Sequence, residues 1–200
     1  MKSETAAQHQ KESSNEITCG IITLSDSRKS KKLDLSGQYM AEEIESRYTL
    51  NSRCLIPDEK DELINAIESM ILDETDVILT TGGTGLDSRD ITVETVESLF
   101  EKRIEGFGEL FRAKSYEEIG AAALLSRATA GIYKKTVIFS MPGSPNAVKT
   151  ALGLIIDELP HLVHHVKWWN IFFIILPFNQ KIHLHLLKAL ILYLLLQIHQ

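Results

Sequence analysis

The stretch "DVILTTGGTGLDSRDITVETV", Asp76 to Val96, decides how the chain is read. A run of β-branched and aliphatic residues is the signature of a buried strand, and "TVETV" begins a helical stripe. Between them stand Gly82, Gly83 and Gly85, then a Ser/Arg/Asp cluster. A strand that passes through a glycine loop into a helix predicts a βα unit. Glycines in that position let a ligand approach the bare backbone. Successive N–H groups in such a loop form an anion-binding concavity, and the following helix adds its positive N-terminal end. The plain alternative is a tight strand-to-helix turn, but three glycines are more than such a turn needs. The loop is neither a Walker A motif, since no lysine follows the glycines, nor a GxGxxG fingerprint, since Ser88 stands where the third glycine belongs.

The same alternation extends in both directions. "ITCGIITL" reads as a strand buried on both faces, and "SRCLIPD" and "TVIFSM" as two further strands. "RATAGIYKKTVIFSM" reads as two strands or a strand pair about Lys134 and Lys135. Helical stripes are predicted from about Gly37 to Tyr48, over "EKDELINAIESMILDE" with Leu63, Ile64, Ile67, Ile71 and Leu72 on one side, and over "TVETVESLFEK". "GELFRAKSYEEIGAAALLS" is predicted helical with a break near Gly120. "SPNAVKTALGLIIDELPHLVHHV" is predicted as a closing helix kinked near Pro160. Strands alternating with helices predict an α/β protein: a three-layer α/β/α arrangement around a mainly parallel, doubly wound sheet. Ligands in that architecture sit beyond the carboxyl ends of the strands. The loops "SDSR", "PDEK", "GGTG" and "PGSP" each follow a predicted strand.

Composition narrows the function classes. Charged residues are 24% and hydrophobic residues 44%, ordinary for a globular protein, and the net charge is −6. Residues 1–166 hold 18 basic and 27 acidic side chains, a net of −9. An acidic body argues against nucleic acid as a partner, because phosphate-backbone binding relies on clustered Lys and Arg. Cys19 and Cys54 have no CxxC spacing and read as buried thiols of a reducing compartment. Residues 1–16 have no apolar core and read as a solvated polar tail, not a signal peptide. The expected address is the cytoplasm.

Three aspartates follow predicted strands or the glycine loop: Asp26, Asp58 and Asp90. Each has an ordinary reading, Asp26 as a turn former and Asp58 and Asp90 (or Thr92) as helix caps. Together at one sheet edge, facing an anion-binding loop, they suggest Mg²⁺ held between carboxylates and phosphates, and hence phosphoryl or nucleotidyl chemistry. Pro142 and Gly143 form a turn, Ser144 is a good N-cap and Pro145 suits the first helical position. That segment reads as a well-built helix start and as a second wall of the pocket. His161, His164 and His165 lack a third-ligand pattern and read as a solvated helix face.

The motifs "TLSDSR", "IPDEK", "TTGGTGLDSRDITVETV", "IEGFGELFR", "ALLSRATAG" and "MPGSPNAV" occur in this order. From about Ile17 to Val166 the chain resembles the MoaB/Mog family of molybdenum cofactor biosynthesis proteins, bacterial MoaB in particular. The resemblance implies a molybdopterin-binding domain over residues 17–166 that assembles as a homotrimer or homohexamer and works with other proteins of that pathway. It implies adenylylation of molybdopterin by Mg-ATP, with pyrophosphate released. A molybdopterin-binding or channelling protein without catalysis, and a tail-anchored scaffold, stand as alternatives. By motif position the catalytic and Mg²⁺-holding acids fall on Asp58 and Asp90. Thr81, Gly82, Gly83, Thr84 and Gly85, with Pro142, Gly143, Ser144, Pro145, Asn146 and Ala147, would line the nucleotide and pterin pocket. Ser25, Asp26 and Glu105 are expected nearby.

Residues 167–200 depart from the family. They contain three lysines, no acid and no glycine, and their two apolar runs are too short for a span of about 20 residues. This hydrophobic extension reads best as adventitious, such as translation past a lost stop codon. A membrane-surface helix over 168–200 and a packing role are the other readings.

Overall fold

The computed structural model describes residues 17–27 and 33–175. The polar tail 1–16, and with it the signal-peptide question, lies outside those residues. So does most of the hydrophobic extension, together with its three readings. The chain divides into two compact units between Val166 and Lys167.

In the first unit, β1 (Thr18–Leu24) is buried at all but its first position, as a strand covered on both faces requires. α1 (Leu35–Glu45) begins two residues before the expected Gly37. Asp34 caps it, its Oδ1 accepting the Gly37 N–H at 2.9 Å. β2 (Thr49–Ile56) is longer than expected and stops before Pro57. α2 (Lys60–Leu72) buries Leu63, Ile67 and Met70. Leu72, expected on that stripe, is 83% exposed at the helix end. β3 (Val77–Thr81) leads through the glycine loop to α3 (Thr92–Leu99).

A two-residue strand not expected from periodicity follows, β4 (Lys102–Arg103), and then α4 (Glu105–Ile119). The expected break falls at Gly120, where φ is +61° and a 3₁₀ segment, Gly120–Leu125, begins. β5 (Thr129–Tyr133) and β6 (Thr136–Met141) form a hairpin. Its two linking residues, Lys134 and Lys135, both have positive φ (46° and 72°), the handedness that matches strand twist. α5 (Pro145–Ile155) is separated by the 3₁₀ turn Ile156–Glu158 from α6 (Leu159–Ile175), so the expected kink lies just before Pro160.

The six strands lie in the order β2-β1-β3-β6-β5-β4. The first four are parallel, and β5 and β4 complete the sheet as antiparallel pairings. Neighbouring residues of one strand face opposite layers. Ile21, Leu79 and Phe139 pack under α1, α4 and α5, against Ile44, Phe111 and Leu152. Ile22, Ile78 and Ile138 pack against Leu63, Ile67 and Val96 of α2 and α3. These side chains are essentially inaccessible, and each contributes about 1.5–3 kcal/mol by burial. Three layers and a mainly parallel sheet are thus present as expected.

Cys19 and Cys54 form no disulfide, and burial first, then the charge of Asp76, pushes the Cys19 thiol up to about 12. Among the described residues no helix is long and apolar enough to cross a membrane.

Candidate functional site

Strand register brings the loops together. Leu24 pairs with Ile56, Thr23 with Thr81, and Thr81 with Met141, so the parallel strands end at one level. β2 lies on one side of β1 and β3 on the other, which makes the β1/β3 boundary the switch point where such sheets open a crevice. The glycine loop stands at that boundary. Gly82 has φ +98°, and a Cβ there would lie 2.2 Å from the Leu24 carbonyl oxygen, so no other residue fits.

Three successive carbonyls of the loop are occupied. Thr92 Oγ1 donates to the Gly82 carbonyl at 2.8 Å, and the Thr92 N–H donates to that of Gly83 at 2.9 Å. Arg127 Nε donates to that of Thr84 at 2.8 Å. In a planar trans peptide, C=O and the following N–H point in opposite directions. Fixing these carbonyls therefore turns the N–H groups of Gly83, Thr84 and Gly85 away from the partners that hold the carbonyls before them. Thr92 serves the loop rather than capping α3, whose N-cap is Ile91 without a side-chain bond.

The "PGSP" segment is the adjoining wall. The Gly82 N–H donates to the Met141 carbonyl at 3.2 Å and Thr81 Oγ1 donates to that of Pro142 at 3.0 Å. A Cβ on Gly143 would come within 3.2 Å of Gly82 Cα, so the two glycine segments touch. Ser36 Oγ holds the Gly143 carbonyl at 2.7 Å. Ser144 caps α5, accepting the Ala147 N–H at 3.2 Å, with Pro145 in its first turn. Asn146 instead lines a groove of about 540 Å³ between α4 and α5, with Lys114, Glu118, Lys149 and Thr150.

The aspartates converge as well. Asp58 Oδ2 accepts the Asp26 N–H at 2.9 Å, and Asp26 Oδ1 accepts the Asp58 N–H at 3.1 Å. Neither Asp58 nor Asp90 caps a helix. Glu59 occupies the N-cap of α2, and Asp90 Oδ2 accepts the Asp87 N–H at 2.9 Å within the loop. The Asp90 carboxylate lies against bare Gly85, 2.5 Å from where a Cβ would stand. Asp58 Oδ1 likewise lies 2.6 Å from the Cβ position of Gly83, and it is buried without a hydrogen-bond partner.

Burial pushes the Asp58 carboxyl above the usual carboxylate range. The charges of Asp26 and Asp90 add to this, against the Asp26 N–H and Arg89. Asp26 shifts the other way, held low first by the Asp58 N–H and then by Arg89. A buried carboxylate oxygen without a donor, within electrostatic reach of a second carboxylate, fits a hard cation. Among the described residues no cluster of three or more His, Cys, Asp or Glu could hold a metal alone.

Ser25 continues β1, its N–H donating to the Ile56 carbonyl at 3.0 Å. Glu105 is the exposed first residue of α4, directly after edge strand β4, which pairs with β5.

Three residues not singled out by sequence reasoning complete the site. Arg89 bonds Asp26 through Nε (3.0 Å) and Nη2 (3.2 Å) and Glu59 through Nη1 (2.8 Å). Arg127 forks from Thr84 to both carboxylate oxygens of Glu94. Fully buried Asp34 accepts from Thr23, Gly37 and Arg53. The two arginines stood inside quoted motifs, and Asp34 stood three residues before Gly37, the N-cap spacing.

A family model described as a probable molybdopterin binding domain matches residues 20–161. The molybdopterin adenylyltransferase of Pyrococcus furiosus is 44% identical over 165 residues, which cover 80% of this chain and 97% of that protein. The molybdenum cofactor biosynthesis protein B of Bacillus subtilis is 43% identical over 164 residues, 80% of this chain and 96% of that protein. The crystal structure of the tungsten cofactor synthesizing protein MoaB from Pyrococcus furiosus superposes with a TM-score of 0.72 at 44% identity, covering 76% of this chain and 97% of that one. The Mog protein of Mycobacterium ulcerans gives 0.69 at 26% identity, covering 77% and 99%. The matched segment spans both glycine loops and all three aspartates, and the chain belongs to the MoaB/Mog family of molybdenum cofactor biosynthesis proteins.

Proposed function

We propose that this protein acts in molybdenum cofactor biosynthesis, binding molybdopterin and transferring AMP to it from ATP. An oxygen of the pterin's terminal phosphate attacks the α-phosphorus of ATP, the bond to the bridging oxygen of the β-phosphate breaks, and pyrophosphate leaves with that electron pair. The observation that carries this reading is a glycine loop whose Gly82, Gly83 and Thr84 carbonyls are each held by a hydrogen bond, while its Gly83 and Gly85 lie against the carboxylates of Asp58 and Asp90.

Each residue then has a physical task. The amides of Gly83, Thr84 and Gly85 hold phosphate oxygens and stabilise charge gathering on them in the transition state. The start of α5, capped by Ser144, adds a favourable dipole from the adjoining wall. Asp58 and Asp90 hold Mg²⁺, which when bound neutralises phosphate charge. Asp26 fixes the backbone of Asp58 and thereby its carboxylate.

The reading includes a cytoplasmic address, other proteins of the pathway as partners, and a homotrimer or homohexamer. The exposed apolar side chains Leu110, Tyr116, Ile119, Leu124 and Leu125 of α4 and the segment after it offer a surface for such assembly. Sedimentation equilibrium of the full chain measures it, with a monomer contradicting it.

The test of the function compares binding with turnover. Asp58→Asn and Asp90→Asn are expected to abolish adenylylation while molybdopterin fluorescence still reports binding. Equal loss of both would assign the two carboxylates to pterin binding rather than to catalysis.

A further inference from the structure

We propose that Arg127 is a positioning residue: by holding the Thr84 carbonyl, it aims the Gly85 N–H at the phosphate group held by the glycine loop. The proposal rests on the reading of that loop as a phosphate cradle and adds a residue to it.

The loop amides are held from two sources. Those of Gly83 and Thr84 are set by Thr92, through its hydroxyl and its own N–H. Thr92 is the first residue of α3, the helix the loop runs into, so this hold is local. The Gly85 amide is set from elsewhere. The carbonyl preceding it, that of Thr84, accepts from Arg127, which is 43 residues further along the chain. β5 runs antiparallel to β6, and Thr129 pairs with Ser140 near the carboxyl end of β6. That topology delivers the residues just before β5 to the sheet edge where the glycine loop stands.

Arg127 is itself braced. Its side chain is 26% exposed, and its terminal nitrogens reach the two oxygens of Glu94, in the first turn of α3. A guanidinium is planar, with five donors in fixed directions. Fixing one edge on Glu94 therefore fixes the direction of Nε, and Nε in turn fixes the Thr84 peptide plane. A lysine carries the same charge as a mobile ammonium and cannot hold both groups in this way. The comparison of Arg with Lys therefore separates positioning from simple attraction of an anion.

The test uses the full chain labelled with ¹⁵N-glycine and titrated with inorganic pyrophosphate, followed through its amide cross-peaks. In the wild type, the Gly83 and Gly85 peaks are expected to move together and saturate. In Arg127→Lys, Gly83 should still move, the Gly85 response should fall severalfold, and pyrophosphate should bind on the order of tenfold more weakly, the loss of one hydrogen bond to a charged group. Unchanged peaks for Gly20 and Gly153 verify the fold of the variant. If Arg127→Lys does not fold, Glu94→Gln carries the test, since it removes only the brace and should shrink the Gly85 response alone. A Gly85 response equal to wild type in the folded variant overturns the positioning role. A wild type in which neither glycine moves overturns the phosphate cradle, and the proposal falls with it.

Discussion

Asp26 and Asp58, 32 residues apart, each accept the other's backbone N–H, at 3.1 Å and 2.9 Å. The parallel register that pairs Leu24 with Ile56 places them side by side, each two residues beyond the end of its strand. The reciprocal bonds leave Asp58 Oδ2 satisfied and Oδ1 buried without a donor, against the bare backbone of Gly83. One carboxylate is thus both anchored and incomplete.

That state predicts a divergence between activity and stability at position 58. Asparagine keeps a carbonyl oxygen for the Asp26 N–H but carries no charge. Turnover in Asp58→Asn is expected to fall at least about 100-fold, with the fold intact. Because burial raises the Asp58 carboxyl, its ionised form opposes folding at neutral pH, and removing that charge should leave Tm unchanged or slightly higher. Calorimetry beside the turnover assay checks this, and a large drop in Tm would show that the charge is structural.

Asp34 makes the opposite prediction. It is buried and paired with Arg53 at 2.9 Å, and it accepts from Thr23 Oγ1 at 2.7 Å and Gly37 N–H at 2.9 Å. Burial opposes its charge, but those donors outweigh burial and hold its carboxyl below the usual range. Its contribution is therefore complete above the unfolded value of about 3.9 and is lost as pH falls through the lower folded value. Asp34→Ala leaves the Arg53 charge without this partner and is expected to cost about 3 kcal/mol, or roughly 6–12 °C in Tm at pH 7. The deficit should shrink as pH falls below about 4, which thermal unfolding at several pH values measures.

The glycines separate by environment. Gly82→Ala places a Cβ 2.2 Å from the Leu24 carbonyl at φ +98°, and should cost about 2 kcal/mol or more by strain. Gly153 lies inside α5 with nothing within 4 Å of its Cβ position. Gly153→Ala should add about 0.5–1 kcal/mol of stability through helix propensity. Chemical denaturation of the pair measures both, and similar behaviour of the two variants would contradict the close approach at Gly82.

The layers, the parallel strands and the loops at their carboxyl ends were legible because buried strands read as continuous apolar runs, and "GGTG" and "PGSP" punctuate them. β4 was not, because two exposed residues carry no periodicity and pair only through β5. Asp58 and Asp90 were legible as chemistry, but not their release from helix capping, which depends on the Asp26–Asp58 exchange and on the Asp87 turn. Arg127 was hidden for a related reason. Its partners, Thr84 and Glu94, are 43 and 33 residues away, and only the antiparallel return of β5 brings them together. Local propensity registers strands and caps. It does not register side chains that reach between loops.

The most direct measurement is the fate of ATP. The full chain is incubated with molybdopterin and ATP, with and without added Mg²⁺, and adenylylated pterin and pyrophosphate are counted by mass spectrometry. The account predicts equal amounts of the two products, dependent on Mg²⁺ and lost in Asp58→Asn. Tight molybdopterin binding with no pyrophosphate formed under any condition would contradict it.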